Sequence, residues 1–339
     1  MRILLIGGTG TISMAITELL AKGNDEVYLL NRGNRDTEVP EGIRLIRADI
    51  NNEAEVLEKI GDLHFDAVCE FIGFVKSQLE RDYRLFAGRT DQYIYISSAS
   101  AYHKPVRGYV INEGTTLANP YWQYSRDKIE CEEYLMKLYR EEGFPVTIVR
   151  PSHTYDKRSV PMGVHGNGGS YQVIRRMLEG KKVIIHGDGS SLWTMTHNSD
   201  FAKGYVGLIG NPHAIGEAFQ ITNDESLTWD QIYECIAKAL GVKLNAVHIS
   251  SEFLAAVSDY DFTGGLLGDK ACTVVFDNSK LKRAVPGFVP TVRFEQGVKE
   301  TIDYVLSHPE CQIPDPEFDA WCDRVIEALE ETKRRLSNG

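Results

Sequence analysis

A tyrosine and a lysine at helical spacing are the side chains of this sequence best suited to proton chemistry. Tyr124 and Lys128 are four residues apart, so on a helix both project from one face. A lysine ammonium beside a phenol favours the phenolate, which makes Tyr124 a candidate proton donor or acceptor for an alcohol and ketone pair. Ser98, 26 residues earlier, could hydrogen-bond the same substrate oxygen. The tyrosine–lysine spacing also occurs by chance on helices, so its meaning depends on the surrounding motifs.

A glycine-rich turn follows the first predicted strand. Residues 7–13 read GGTGTIS, and a helical pattern begins directly after them. Such a turn lets the backbone approach a pyrophosphate and directs helix N-terminal N–H groups at it. Ser13 is small enough for the third position of the motif, where helix and strand pack closely. The turn therefore predicts dinucleotide binding rather than a simple tight turn, and the residues expected at the cofactor are Gly7, Thr9, Gly10, Thr11 and Ile12.

The residues after the second predicted strand bear on which dinucleotide is bound. A carboxylate about 20 residues beyond the glycine motif would bind the ribose 2′-hydroxyl of NAD. This strand instead runs into Asn31-Arg32-Gly33-Asn34-Arg35. The guanidiniums of Arg32 and Arg35 could pair with a 2′-phosphate, or they could be solvated loop cations. The pattern favours NADP over NAD, with Asn31 also at the site.

A carboxylate ends the third predicted strand. Asp49 is placed to accept a hydrogen bond from the adenine amino group, with Ile50 beside it. A plain strand-end cap is the alternative for Asp49.

The first 150 residues alternate between apolar strands and amphipathic helices. Apolar strands separated by helices predict a parallel sheet covered on both faces and joined by right-handed crossovers. We therefore predict an α/β fold, a Rossmann-type doubly wound parallel sheet with a smaller C-terminal α+β substrate domain. The predicted boundaries are 1–165 for the dinucleotide domain with 183–222 returning to it, 166–182 and 223–313 for the substrate domain, and 314–339 for a C-terminal helix. Thr228 and Gln231 predict a capping box for a helix that ends at Gly241.

Composition limits the partners and the compartment. The 339 residues carry 37 Lys and Arg against 48 Asp and Glu, a net charge of −11, which argues against nucleic acid or an anionic membrane as partner. The six cysteines form no Cys-x-x-Cys pair, and no metal-ligand cluster is visible. The N-terminal apolar run is too short for a secretory signal. We expect a cytoplasmic protein that binds no metal and acts on a small molecule. A homodimer is the candidate assembly, because two-fold dimers are the commonest oligomers of soluble proteins.

Taken together, these motifs resemble the extended short-chain dehydrogenases/reductases, the NAD(P)-dependent epimerase/dehydratase family. The resemblance spans Met1 to about Ile302 and includes Val149-Arg150-Pro151 and His186-Gly187-Asp188-Gly189. It implies that Tyr124 is the general acid/base, that Lys128 also holds the nicotinamide ribose, and that Ser98 polarises the substrate oxygen. It also places Pro151 at the cofactor.

Departures from the family pattern concern the substrate. Ala99 and Ser100 follow Ser98 where sugar dehydratases carry an Asp-Glu pair, so elimination chemistry lacks its acid and base. Ser152-His153-Thr154 stands where epimerases place an Asn, and Leu192-Trp193-Thr194 where they place an Arg. Both usual anchors of a nucleotide diphosphate are absent, so a conventional UDP-sugar is not the expected substrate.

Several further residues have two interpretations each. His153 could touch substrate or be a structural histidine, and Trp193 could stack on a substrate ring or pack in the core. Glu70 is either exposed at the C-terminal edge of its strand or a substrate-side carboxylate, because burial of an unpaired carboxylate is costly. His197 and Asp200 are expected to make a hydrogen bond that joins the domains rather than to act in catalysis.

Two functions follow. The first is an NAD(P)-dependent epimerase or reductase that acts on a hydroxyl or ketone carbon of a sugar-like or other small substrate. The alternative is a nucleotide-binding regulatory or RNA-binding protein without turnover, since Asn31-Arg32-Gly33 also resembles an atypical branch of the superfamily. Retention of both Tyr124 and Lys128, together with the acidic net charge, favours the enzyme.

Overall fold

The computed structural model describes residues 1–33 and 39–338. The predicted cofactor contact of Arg35 lies outside the described residues. None of the helices in the described part of the chain combines the length and the apolar character of a membrane span.

Strands and helices alternate along most of the described chain. The strands are β1 (Arg2–Ile6), β2 (Glu26–Asn31), β3 (Arg44–Arg47), β4 (Ala67–Glu70), β5 (Tyr93–Ile96), β6 (Val110–Ile111), β7 (Val146–Pro151), β8 (His153–Tyr155), β9 (Val183–His186), β10 (Leu192–Trp193), β11 (Met195–His197), β12 (Glu217–Ile221), β13 (Leu227–Thr228), β14 (Ala246–Ile249) and β15 (Val275–Phe276). The α-helices are α1 (Ser13–Ala21), α2 (Glu53–Ile60), α3 (Lys76–Phe86), α4 (Gln123–Glu142), α5 (Tyr171–Leu178), α6 (Asn198–Leu208), α7 (Trp229–Leu240), α8 (Ser251–Ala256), α9 (Ser279–Ala284), α10 (Phe294–Ser307) and α11 (Pro316–Ser337). Short 3₁₀ turns lie at Ala99–Ala101, Pro212–Ala214 and Pro309–Cys311, and a π-helical segment at Thr263–Lys270.

The central sheet is parallel and has seven strands, in the order β12-β7-β5-β4-β1-β2-β3. Its inner strands are mostly apolar because both faces are covered, whereas the edge strand β3 reads RLIR and is mostly exposed. Ile3 and Leu5 face a core that includes α1 and α6, whereas Leu4 and Ile6 face a core that includes α2, α3 and α4. The predicted Rossmann-type doubly wound sheet is confirmed. Since its strands are parallel, their carboxyl ends share one edge, where the loops after β1, β2, β4 and β5 come together.

The chain forms two compact units. The first contains Met1–Thr154, Thr196–Asp224 and Phe276–Thr291, and the second contains Tyr155–Met195, Glu225–Val275 and the described residues from Val292 onwards.

These boundaries differ from the predicted ones in four places. Residues 155–165, predicted in the dinucleotide domain, belong to the second unit. Strand β9, predicted to return to the dinucleotide domain, pairs with β14 in the second unit. Residues 276–291, predicted in the substrate domain, belong to the first unit because Leu281 of α9 packs in the core that contains Phe219. The C-terminal helix, predicted as a separate element, begins at Pro316 and belongs to the second unit, where Arg176 of α5 pairs with Asp319 at 2.6 Å.

The predicted capping box in the second unit is confirmed. Thr228 Oγ1 accepts a hydrogen bond from the Gln231 N–H at 3.1 Å, and the Gln231 side chain accepts one from the Thr228 N–H at 2.9 Å. Helix α7 ends at Gly241, whose φ of 70° is the left-handed conformation that favours glycine.

Candidate active site

The three glycines of the first turn have different tasks. Gly7 has a φ of 83°, and a Cβ there would collide with the Ile72 side chain. A Cβ on Gly8 would collide with Leu29 and Thr17. A Cβ on Gly10 would meet only Ser13 Oγ, at an ordinary 3.4 Å. Gly7 and Gly8 are therefore required by the packing of the turn, whereas Gly10 keeps its open side free.

Ser13 has a larger part in the turn than its small size alone predicts. Its Oγ accepts a hydrogen bond from the Gly10 N–H at 2.9 Å and donates one to the Gly7 carbonyl at 2.8 Å. The side chain is buried, so this bridge is shielded from water. Ser13 thus fixes the turn through two hydrogen bonds at the first residue of α1, a role that packing considerations had not predicted.

A cavity of about 480 Å³ opens beside this turn at the carboxyl edge of the sheet. Its lining comes from the first unit alone: the turn, the ends of β2 and β3, and residues of α3. It is lined by Gly7, Thr9, Gly10, Leu30, Asn31, Arg32, Ala48, Asp49, Ile50, Asn51, Ile72, Gln78 and Arg81. The structure therefore brings together seven of the residues predicted for the cofactor, while Thr11 and Ile12 are not part of this lining.

Asp49 caps the end of its strand and also lines the cavity. Its Oδ1 accepts hydrogen bonds from the backbone N–H and the side-chain amide of Asn51, both at 3.0 Å, as a strand-end cap does. The Asn51 Oδ1 in turn accepts from Arg81 at 2.9 Å, and Arg81 also pairs with Asp82 at 2.7 Å. Asp49 remains in the cavity lining. Sequence reasoning missed Asn51 and Arg81, because no spacing rule connects α3 with the end of β3.

Arg32 lies at the mouth of the cavity and is exposed. It makes no ion pair with any described residue. Its neighbour Asn31 accepts a hydrogen bond from the Gly33 N–H at 2.9 Å, which shapes the loop that carries Arg32.

Tyr124 and Lys128 lie on one face of α4, as their spacing predicts. The Lys128 Nζ is 5.8 Å from the centre of the Tyr124 ring. Lys128 is only 2% exposed, and its ammonium donates to the carbonyls of Gly73 at 2.7 Å and Ile96 at 2.9 Å. Burial lowers the pKa of Lys128 to about 8. The two carbonyls fix the charge on the helix face that carries Tyr124. One comes from the loop that follows β4 and the other from the last residue of β5.

Three serines form a chain of hydroxyl groups near this pair. Ser125 donates to the Ser100 Oγ at 2.7 Å, and the Ser100 and Ser98 oxygens are 2.9 Å apart. The Ser100 N–H also points to the Ser98 Oγ, at 3.2 Å. When Ser100 accepts from Ser125 it can donate to Ser98, which leaves the Ser98 proton available for a ligand oxygen. The sequence drew attention to Ser98 alone; Ser100 and Ser125 were missed as its partners.

The two expectations for Glu70 are both corrected by its burial. The side chain is fully buried, so it is not an exposed strand end, and it is closed to a substrate. Its Oε1 accepts a hydrogen bond from the Ile72 N–H at 2.5 Å. Burial and the neighbouring Asp82 carboxylate raise the pKa of Glu70 well above its ordinary range. A buried carboxyl of this kind keeps its proton, which removes the cost that the sequence argument assigned to a buried charge.

The remaining candidates divide between structural and undecided roles. Trp193 is only 3% exposed and stacks on Trp229 with ring centres 5.9 Å apart, so it packs in the core and is not an accessible stacking platform. His153 is partly buried in β8, which leaves both of its interpretations open. Pro151 is buried as the last residue of β7, opposite Ile221.

His197 and Asp200 have structural partners within the first unit. His197 caps α6 by accepting from the Ser199 N–H at 3.3 Å. Asp200 is fully buried, accepts from the Thr291 N–H at 2.9 Å and pairs with Lys203 at 2.6 Å. Asp200 therefore joins two chain segments of the same unit.

The parallel sheet, the glycine turn and the cavity beside it define a dinucleotide-binding protein of the Rossmann class. The family model of the NAD dependent epimerase/dehydratase family matches residues 3–222. The chain belongs to this family and is an enzyme of its NAD-dependent class.

Known proteins similar to this chain differ in their named activities. The chain is 24% identical to 2′-dehydrokanamycin reductase of Streptomyces kanamyceticus, over 85% of this chain and 80% of that protein. It is 22% identical to a chloroplast stem-loop binding protein of 41 kDa from Arabidopsis thaliana, over 71% of this chain and 63% of that protein. The crystal structure of UDP-glucuronic acid 4-epimerase from Bacillus cereus in complex with NAD shares the fold, with a TM-score of 0.70, 20% identity and coverage of 91% and 99% of the two chains.

The residues around the cavity fit a nicotinamide dinucleotide. The side of Gly10 that a Cβ would fill is open, as a closely approaching pyrophosphate requires. The N-terminus of α1 begins without a side-chain cap, so its N–H groups are available to an anion. Asp49, in the same lining, provides a carboxylate acceptor for an adenine amino group.

Proposed function

We propose that the protein is an NAD(P)-dependent epimerase or reductase that acts on a hydroxyl or ketone carbon of a sugar-like or other small substrate. The observation that carries the proposal is the buried Lys128 ammonium, fixed by two carbonyls on the helix face that presents Tyr124. The charge of this lysine lies among three aromatic rings, Phe74, Tyr95 and Tyr124, an arrangement that the stability of the fold alone does not require.

Each residue of the site has a definite task in this proposal. Tyr124 gives a proton to the substrate oxygen or takes one from it, and the Lys128 charge stabilises the phenolate form that results. Ser98 donates a hydrogen bond to the same oxygen, and the chain through Ser100 and Ser125 orients its hydroxyl. The nicotinamide cofactor, when bound, supplies or accepts the hydride. Gly10, Asp49 and Arg32 would hold its pyrophosphate, adenine and ribose portions.

We further propose NADP as the preferred cofactor, with Arg32 as the partner of the 2′-phosphate. Arg32→Ala should weaken NADP binding by roughly 10- to 150-fold, the equivalent of ~1.5–3 kcal/mol for a charge-assisted contact. NAD binding should change little, since NAD lacks that phosphate. Calorimetric titration of both nucleotides tests this, with Arg44→Ala on β3 as a control that removes a nearby exposed cation outside the cavity lining. Equal losses for NADP and NAD would return Arg32 to the role of a solvated loop cation.

For the substrate, we propose a ketone or alcohol that carries no nucleotide diphosphate. Trp193 and Thr194 are buried where the family pattern places an arginine, so that segment offers no cation to a diphosphate. A reductase assignment is supported by the similarity to a protein named for the reduction of 2′-dehydrokanamycin, a substrate without a nucleotide.

The test is a panel of candidate substrates, with the absorbance of the reduced nicotinamide cofactor as the measure of hydride transfer. Keto-glycosides, small ketones and UDP-sugars would each be mixed with the protein and with NADPH or NADH. We expect cofactor oxidation with a nucleotide-free ketone. Interconversion of a UDP-sugar without net change of the cofactor would contradict the substrate proposal and identify an epimerase of nucleotide sugars. Salt-sensitive RNA binding with no turnover on any compound would contradict the enzymatic proposal altogether.

A further inference from the structure

A buried carboxyl group at the end of β4 fixes the turn that follows this strand. Glu70 is the last residue of β4, in register with Ile6 of β1 and Tyr95 of β5. Its side chain is fully buried, and its Oε1 accepts the Ile72 N–H at 2.5 Å. This hydrogen bond spans only two residues, so it closes a tight loop and fixes the direction in which the chain leaves the strand.

That turn carries one of the two carbonyls that hold Lys128. The Gly73 carbonyl accepts the Lys128 ammonium at 2.7 Å. Gly73 also packs directly on the carboxyl side chain: a Cβ there would lie 3.3 Å from the Glu70 Cγ and 2.9 Å from Leu79. The next residue, Phe74, places its ring 4.7 Å from the Lys128 Nζ. The position of the lysine therefore depends on a turn whose inner side rests on Glu70.

We propose that Glu70 is a positioning residue for the Tyr124–Lys128 pair, because its carboxyl group fixes the turn whose carbonyl receives the lysine. The inference rests on the proposed function, in which Lys128 assists Tyr124. It assigns the side chain a task away from the substrate, as its full burial requires.

The surroundings of Glu70 show in which form the carboxyl group acts. From α3, Asp82 contributes a negative charge, while the Arg81 guanidinium is hydrogen-bonded to Asp82 and Asn51 rather than to Glu70. From β5, Tyr93 donates to Asp82 at 2.7 Å, and from α4, Lys128 directs its hydrogen bonds to carbonyls. No described cation donates a hydrogen bond to Glu70. Burial and the Asp82 charge raise the pKa of Glu70 and so favour the neutral acid, which still offers a carbonyl oxygen to the Ile72 N–H.

A neutral acceptor can be replaced by an amide, and this makes the proposal sharply testable. Glu70→Gln retains an oxygen acceptor of the same reach, whereas Glu70→Leu retains the volume and removes the acceptor. Amide hydrogen exchange at Ile72–Phe74 should be slow in wild-type protein and in Glu70→Gln, and much faster in Glu70→Leu. This readout needs no substrate. Equal protection in all three proteins would overturn the inference.

With a substrate available, kinetics test the consequence for Lys128. Glu70→Leu should lower kcat by roughly 10- to 100-fold, the range expected when a catalytic group is misplaced. The pH profile of kcat should also shift, because a lysine that loses the Gly73 carbonyl titrates at lower pH. Glu70→Gln should restore both. The control is Cys69→Ala, which removes a fully buried side chain from the same strand without touching the turn.

The outcomes separate this inference from the proposed function. A Cys69→Ala protein of equal thermal stability that loses as much kcat as Glu70→Leu would overturn the positioning role. A normal kcat in Glu70→Leu would also overturn the positioning role, provided that the separate Tyr124→Phe variant is inactive. Normal turnover by Tyr124→Phe would instead remove the proposed function on which the inference rests.

Discussion

Tyr124→Phe should lower turnover by at least ~10²–10⁴ and leave cofactor affinity close to that of the wild type. The substitution removes only the hydroxyl that titrates. The ring keeps its contacts with Trp122 and Phe74, whose centres lie 4.9 and 6.5 Å away. In the proposed site the glycine turn and the cavity lining hold the cofactor, and the substitution does not touch them. Steady-state kinetics on a substrate from the panel, together with calorimetric titration of the cofactor, measure the two quantities separately.

Two companion variants place this result in context. Lys128→Ala should lower both turnover and cofactor affinity, because it removes the ammonium charge and vacates the position between Gly73 and Ile96. Ser98→Ala should be milder, since it removes one hydrogen bond to the substrate oxygen rather than the proton carrier. Near-native turnover by Tyr124→Phe would show that this face of α4 is not the active site.

Gly10→Val should bring dinucleotide binding below the limit of calorimetric detection while thermal stability stays close to that of the wild type. Gly10 does not adopt a positive φ, and a Cβ there meets only Ser13 Oγ, at 3.4 Å, so the protein tolerates a Cβ at this position. The branched side chain of valine would instead occupy the space through which a pyrophosphate must approach.

Gly7→Val provides the matched comparison. Gly7 has a φ of 83° and its Cβ would collide with Ile72, so this variant should lose thermal stability as well as binding. The contrast between the two variants distinguishes a glycine kept free for the ligand from one required by the fold. Unchanged nucleotide affinity in Gly10→Val would mean that the cofactor lies elsewhere.

The confirmed predictions depend on patterns whose residues all lie within a short stretch of the chain. The glycine turn after β1 and the tyrosine–lysine pair on α4 needed only the geometry of a strand–turn–helix and of a helix. The capping box at Thr228 and Gln231 is likewise complete within four residues. In each case the residues that must meet are neighbours in sequence, so spacing translates directly into distance.

The predictions that failed concern which side chains become covered by distant parts of the chain. Glu70 was expected at an exposed strand end or at the substrate, yet it is fully buried. For Trp193 the sequence left a stacking platform and core packing open, and only the contact with Trp229 decided for the core. Whether a residue is covered depends on elements far away in sequence, and no local pattern reports on them.

By itself, then, the sequence determined the parallel α/β sheet, the glycine turn after β1 and the residue types of the proposed proton-transfer site. Apolar strands, turn glycines and helical spacing act through local backbone geometry, which neighbouring residues specify. Only the tertiary structure decided how the Lys128 ammonium is held, since its two carbonyl partners lie 55 and 32 residues away along the chain. It likewise decided that the Glu70 carboxyl is buried and keeps its proton, because desolvation and the Asp82 charge arise only when α3 and the sheet have packed together.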